Sequence, residues 1–542
     1  MILEHLPEQL SNDRRSLAAV AAVSVVVCAL AIHFFSSPYT AFWRSCSWVG
    51  LRHKLFPKTR AGLDAIRNTR GLVEKGYKQF SKNNIPFVLP KFGNAHLVIL
   101  PGSQARELIR KPDNEVDLHV MHYEQLASLY TSRKEVYTRP LHLGVVRRQL
   151  TRKLPLLADD LYDEVKASFD SLWAVSKGNT CNVLVYRSCI KVVSRAANKI
   201  FTGIELCHSA EFLENSWQYT MAVFTAAAHF NLVPKWVRPF VAPYLTRHIR
   251  KHLKACLRVA RPVIEQRIRR LQAARAAKDE SAKDEYHDGL QWVILESLDQ
   301  GHLSDLDPEI VCRRILALNM VAIHTTSIAI TNTLFDLYSS SDASDFIFGL
   351  RQECDQALSA HGGKWTKAAV DQLNRVDSAI KESMRLSVRV VGMHRMVTAP
   401  NGVDFCDNFH VPFGVRVALP NHPIQRDPDN YPEPDRYNAF RFSELRGALP
   451  ATSNEEGSTQ GSAYLKQRQQ GLVTPNDAFL AWGHGRHACP GRFFAAHLMK
   501  LMLAHVVTNY DVRPQKTPQP LMRNEFTIPD PTAVFEVKQR AK

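Results

Sequence analysis

The chain has no CxxC pair, no internal repeat, no long low-complexity tract in its middle and no flavin or nucleotide fingerprint. Its ten cysteines are scattered at 28, 46, 181, 189, 207, 256, 312, 354, 406 and 489. That pattern indicates neither a structural zinc site nor a disulfide framework, and suits a reducing, cytosol-facing location. The lack of repeats in 542 residues of 45% hydrophobic content points to one large, mostly helical domain. The formal net charge of +17 fits an anionic membrane or an acidic protein partner. The basic residues are spread along the chain and no nucleic-acid motif accompanies them, which argues against nucleic acid.

Residues 17 to 35, LAAVAAVSVVVCALAIHFF, form one long apolar run, enough to span a bilayer as a helix. Arg44, Arg52, Lys54, Lys58 and Arg60 follow it, so the positive side is C-terminal and the bulk of the chain is expected in the cytosol. A cleaved signal peptide is the competing reading, but the apolar run is long for one and lacks a clean cleavage site. The expected division is an anchor over 1–37 and one large domain over 38–542. Residues 84 to 100 read as short strands, and 155 to 275 as almost wholly helical. The stretch 229 to 254 mixes aromatic, proline and basic residues; it suits either membrane contact or a surface loop with a basic helix. Residues 270 to 290 are charged and read as a mobile connection.

Four stretches carry chemistry. The first is FLAWGHGRHACPGR, Phe479 to Arg492, followed by the helical FFAAHLMKLMLAHVV. Cys489 stands at the start of that helix, where unpaired amides and the helix dipole favour a thiolate. The glycines let the backbone approach a flat ligand. A lone cysteine held in this way suits a thiolate that ligates one metal from one side, with haem iron as the candidate. The second is the long apolar helix IVCRRILALNMVAIHTTSIAITNTLFDL, with the polar insert His324, Thr325, Thr326. Such threonines either bond back to a carbonyl one turn earlier or deliver protons in a dry pocket. The third is TKAAVDQLNRVDSAIKESMRLSV, where Glu382 and Arg385 share a helix face. The fourth is NAFRF, residues 438 to 442, which contains Arg441.

The glycine, arginine, Cys-Pro-Gly and helix pattern resembles the haem-binding loop of the cytochrome P450 family. The other stretches follow in that family's order, and the resemblance covers nearly the whole chain. It implies a mainly α fold with small β-sheets, the cytochrome P450 fold, behind an N-terminal transmembrane helix. It implies haem b with Cys489 as axial iron ligand and Trp482 packed beside it, where the family usually has phenylalanine. It places Thr325 at the distal proton-delivery position and His324 at the usual acid position. It locks Glu382 and Arg385 to Arg441. His487 falls where the family binds a haem propionate. Arg395 is either such a contact or an ordinary strand arginine. The basic group His142, Arg147, Arg148, Arg152 and Lys153 either covers the propionate edge, for which Arg147 is taken, or forms a solvated face.

The His-Thr-Thr-Ser variant resembles a fungal branch that includes ent-kaurene oxidase-like and terpenoid-tailoring enzymes. The resemblance implies a monooxygenase at the endoplasmic reticulum membrane, acting on an apolar, terpenoid or meroterpenoid, intermediate of secondary metabolism. Electrons then come from a separate NADPH-cytochrome P450 reductase. The alternatives are a haem-thiolate isomerase or dehydratase needing no reductase, and a non-enzymatic haem-binding protein.

Overall fold

The computed structural model describes residues 40–51, 57–91, 96–175, 179–406, 408–447, 470–514, 518–523 and 525–541. The expected anchor at 17 to 35 lies outside the described residues.

Four short strands lie among the first helices, Thr40–Ser45, Pro57–Gln79 and Ala105–Arg110: β1 (Ser47–Trp48), β2 (Phe87–Leu89), β3 (Leu97–Ile99) and β4 (Val116–Asp117). The reading of 84 to 100 as strands is met by β2 and β3. Helix α1 (Leu118–Gln125) begins where the Asp117 carboxylate accepts the Val120 amide, a side-chain cap for an otherwise unpaired donor. A π-turn over Val146–Leu150 leads into α2 (Thr151–Leu172). Helix α3 (Val185–Thr202) stops at Gly203, whose φ of 76° a side chain would resist. Helix α4 (Ala210–Leu232) is capped by Ser209, and α5 (Arg238–Leu245) and α6 (Arg247–Ala277) follow. The charged connection after α6 is tied down. Buried Arg267 pairs with Asp288 at 2.7 Å and with Glu205 at 2.8 Å.

Helix α7 (Pro308–Tyr338) is the axle of the fold. Asp307 caps it and Pro308 opens it, where a missing N–H costs nothing. Most of its faces are buried, against α3, α6 and α8 (Asn374–Leu386) among others. It is long and apolar enough to cross a membrane, yet it sits in the core. A helix apolar on nearly all sides buries nearly all sides.

The sheet is completed by β5 (Gly392–Val397) and β6 (Arg416–Leu419), in the order β1-β2-β3-β6-β5-β4. The β5–β6 register shifts between Gly392 and Arg395, and Met393 takes φ 56°. This bulge turns Met393 toward the cysteine loop: a Cβ built on Gly483 would lie 3.8 Å from the Met393 sulfur. After α9 (Arg441–Gly447) comes α10 (Arg492–Asn509), the helix behind Cys489, which packs on α7 and α8. The hairpin β7 (Leu521–Arg523) and β8 (Phe526–Ile528) follows.

Candidate active site

The cysteine loop is a set of tight turns. Gly483 and Gly485 have φ of 70° and 68°. A Cβ on Gly485 would lie 2.0 Å from Ile109 Cγ2, so only glycine fits there. The Cys489 amide donates to the Trp482 carbonyl at 2.8 Å, and Arg492 donates through Nη1 to the Cys489 carbonyl at 2.9 Å. Burial pushes the Cys489 thiol up, while the amides of Gly491 and Arg492 and the Arg492 charge pull it down. A cation on the sulfur would complete that downward pull. The Trp482 indole donates to the Leu472 carbonyl at 2.7 Å, which fixes the ring beside the loop.

Across the core, α7 carries one open stripe. Val321 and Thr325, one turn apart, are exposed in the middle of an otherwise buried helix; Val321 is 54% exposed. Thr325 donates to the Val321 carbonyl at 2.7 Å, the ordinary partner of a helical threonine. His324 turns to the neighbouring side, toward α4. Its ring lies 6.3 Å from that of Trp217 and 6.2 Å from that of Phe224, and Nε2 has no hydrogen-bond partner. Burial lowers its pKa to about 4, so the imidazole is neutral at physiological pH.

The expected lock is present. Glu382 bonds Arg385 twice at 2.8 Å and Arg441 Nε at 3.0 Å. The remaining guanidinium donors reach backbone carbonyls: Arg385 to Gln425 and Pro434, Arg441 to Pro432, Glu433 and Arg436. All three side chains are buried. A buried ion cluster is tolerable only when its donors are matched in this way.

Two links from the lock to the loop were not legible in the sequence. Gln425 donates to the Arg385 carbonyl and accepts the Leu480 amide at 2.8 Å. Lys381, next to Glu382, places its ammonium 4.3 Å from the centre of the Phe442 ring and 4.7 Å from that of Phe479. Burial lowers its pKa to about 7.

The other expected contacts are more dispersed. His487 Nε2 meets Asp113 at 2.7 Å, and Arg486 pairs with the same carboxylate at 3.0 Å. Asp113 lies far upstream and no local pattern marks it. Arg395 is buried, and its described acceptor is the His394 carbonyl at 2.8 Å. Burial lowers its pKa to about 10. Arg147 is exposed on the π-turn, Arg148 pairs with Glu296 at 2.7 Å, and Lys153 pairs with Asp284 at 3.1 Å. His142 departs from this exposed group. It is buried near Arg314, with its pKa lowered to about 3 by burial and by that charge.

These residues fit an iron porphyrin. There is one sulfur at the start of a helix, an apolar stripe with a single hydroxyl on another, and a buried guanidinium with donors to spare. The sequence profile of the cytochrome P450 family matches residues 70–537. The chain belongs to the cytochrome P450 family. This cytochrome P450 is 41% identical over 510 residues to a protein described as cytochrome P450 monooxygenase htyF of Aspergillus rugulosus, covering 92% of this chain and 73% of that one. It is 40% identical over 523 residues to cytochrome P450 monooxygenase gloP of Glarea lozoyensis, covering 94% of each. Among solved structures, retinoic acid bound cyanobacterial CYP120A1 matches with a TM-score of 0.62 at 18% identity, over 88% of this chain and 96% of that one. That likeness is one of fold. As a P450, the enzyme is a haem-thiolate monooxygenase that takes electrons from a redox partner and acts on an apolar small molecule.

Proposed function

We propose that this P450 oxidises a terpenoid or meroterpenoid intermediate of fungal secondary metabolism, with Cys489 as the residue that would bind the iron of haem b. The observation that carries the haem-thiolate part of the reading is the lock-to-loop chain from Glu382 through Arg385 and Gln425 to Leu480, which ties the Cys489 loop to a buried ion cluster. When bound, the haem supplies dioxygen activation and oxygen-atom transfer.

The protein residues divide the remaining work. Cys489 would give the metal a thiolate, and Trp482 would wall that side. Arg395 and Arg147 would hold the propionates by charge; His487, bonded to Asp113 and kept neutral by burial, would offer a propionate a hydrogen bond and no charge. Thr325 retains an oxygen lone pair beside the open stripe, so its hydroxyl can hold a water and hand on a proton in a site otherwise dry. His324 is neutral, so it relays a proton only by accepting and donating together. Retention of Thr325 favours a monooxygenase over a reductase-independent isomerase or dehydratase, and over a non-enzymatic haem-binding protein. The terpenoid class rests on the resemblance of the His-Thr-Thr-Ser segment.

Electrons come from an NADPH-cytochrome P450 reductase at the endoplasmic reticulum membrane. The apolar run at 17 to 35 supports that location. So does the α5 segment, where Trp236, Phe240 and Tyr244 are exposed (Phe240 at 81%) beside Lys235, Arg238 and Arg247. The test is expression with a reductase in a host making candidate terpene skeletons, after a carbon monoxide difference spectrum. A red-shifted thiolate band and a reductase-dependent oxygenated product are expected. Absence of the band overturns the Cys489 assignment, and product without reductase overturns the monooxygenase route.

A further inference from the structure

Helix α4 lays two aromatic rings against one histidine of α7. Trp217 and Phe224 stand two turns apart on one face of α4. The His324 ring lies 6.3 Å from the Trp217 ring at a tilt of 34°, and 6.2 Å from the Phe224 ring at 76°, edge to face. Two polar atoms in this aromatic nest are unmatched. Nε1 of Trp217 and Nε2 of His324 are both buried, and neither has a hydrogen-bond partner among the described residues. A buried polar atom left unbonded destabilises the fold, and native cores rarely leave two side by side. The nest also borders the open stripe of α7. His324 is half-buried, with exposed Val321 one turn before it and exposed Thr325 next in the chain, and Phe224 is itself 41% exposed.

The chemistry of the two atoms narrows what they fit. An indole N–H only donates. Burial keeps the imidazole neutral, so its Nε2 donates in one tautomer and accepts in the other. A single hydroxyl oxygen matches both atoms: it accepts from the indole, and it either accepts from the imidazole or donates to it. A ketone matches only one tautomer, and a hydrocarbon matches neither atom. Both nitrogens are covered by their neighbours, so the rings turn about their side-chain torsions to admit the hydroxyl, a kind of change common at binding surfaces.

We propose that Trp217 and His324 form a polar clip for a hydroxyl already present on the apolar substrate. This deepens the function proposed above and rests on that reading. The substrate then arrives with one oxygen installed, so an earlier hydroxylation or a cyclisation quenched by water supplies it. The holoenzyme is titrated with 1-adamantanol and, separately, with 1-methyladamantane, which match in shape and differ in a hydroxyl for a methyl. Binding is read from the haem spin-state change in the visible spectrum. The quantity compared between enzymes is the ratio of the two affinities, alcohol over hydrocarbon, in which the alcohol's better solvation by water cancels. Trp217→Phe keeps an aromatic ring and removes the N–H; it should lower the ratio about five-fold, and His324→Phe should lower it by a similar factor. The double variant should lower it by less than the product of the two, because both act on one hydroxyl. An unchanged ratio in Trp217→Phe overturns the clip, as does failure of the unsubstituted enzyme to bind the alcohol. A His324→Phe variant that uncouples oxygen use but keeps the ratio leaves His324 a proton relay alone and overturns it too. The carbon monoxide spectrum of the same samples separates the two proposals: a thiolate band with an unchanged ratio sinks the clip alone.

Discussion

Gln425 and Leu480, far apart in sequence, meet in a buried hydrogen bond of 2.8 Å from the Leu480 amide to Oε1 of Gln425. The same Gln425 donates through Nε2 to the Arg385 carbonyl. One neutral amide thus couples an ion cluster on α8 to the turn that carries Cys489.

Gln425→Leu should strand the Leu480 amide. A buried unsatisfied donor costs about 1–3 kcal/mol. The expected result is a lower haem-to-protein absorbance ratio and faster haem loss to an acceptor protein. An unchanged ratio and loss rate would mean that the turn holds itself.

Glu382→Ala should do more harm. It leaves two buried guanidinium groups without their carboxylate, and breaking such a cluster costs roughly 3–5 kcal/mol. Haem-free or aggregated protein is expected, measured as haem per polypeptide. Normal haem content would refute the lock. Arg385→Lys should rescue little, since an ammonium cannot form both parallel bonds to Glu382 and also reach the Gln425 and Pro434 carbonyls.

Thr325→Ala should uncouple the reaction. Peroxide per NADPH should rise and product should fall, while substrate affinity changes little. The measurement is the peroxide-to-product ratio at fixed NADPH consumption. Unchanged coupling would leave Thr325 with only its bond to the Val321 carbonyl.

His142 gives a pH prediction. Its pKa is about 3 in the folded protein against an ordinary 6.5, because burial and the Arg314 charge disfavour the cation. Between those values the unfolded chain binds the extra proton, so stability falls as pH falls below 6.5. His142→Leu removes that linkage. Between about pH 7.5 and about pH 5 the variant should lose roughly 2 kcal/mol less stability than the parent. Parallel acid profiles in thermal melts would mean that His142 binds its proton equally well in the folded and unfolded chains, which would refute the lowered pKa.

What the sequence made legible is local. Cys489 with its glycines, Glu382 with Arg385, and Thr325 within an apolar helix all announce themselves by close spacing. Arg441 is marked only by the resemblance. Asp113, Gln425 and Lys381 carry no local signal because each acts through a partner from another segment, and a carboxylate, an amide or an ammonium in isolation has no distinctive pattern. The spacing puts His142 with basic residues on one helix, and the structure keeps it there. Helical backbone continues through the π-turn, with His142 buried on one side and Arg147 exposed on another. The charged connection after α6 read as mobile because its composition is polar, but Arg267 pins it from inside.

The lock also sets a timetable for synthesis. Glu382 and Arg441 are 59 residues apart, so at 5–20 residues per second the nascent chain carries Glu382 for roughly 3–12 s before its partner arginine exists. The Leu480 amide and Cys489 are made later still. Until then the Glu382–Arg385 pair on α8 lacks its second guanidinium and the carbonyl partners that only later segments supply. Messages truncated after α8 should therefore yield chaperone clients and proteasome substrates in place of a smaller working enzyme, which makes the C-terminal fifth of the chain its own quality-control checkpoint.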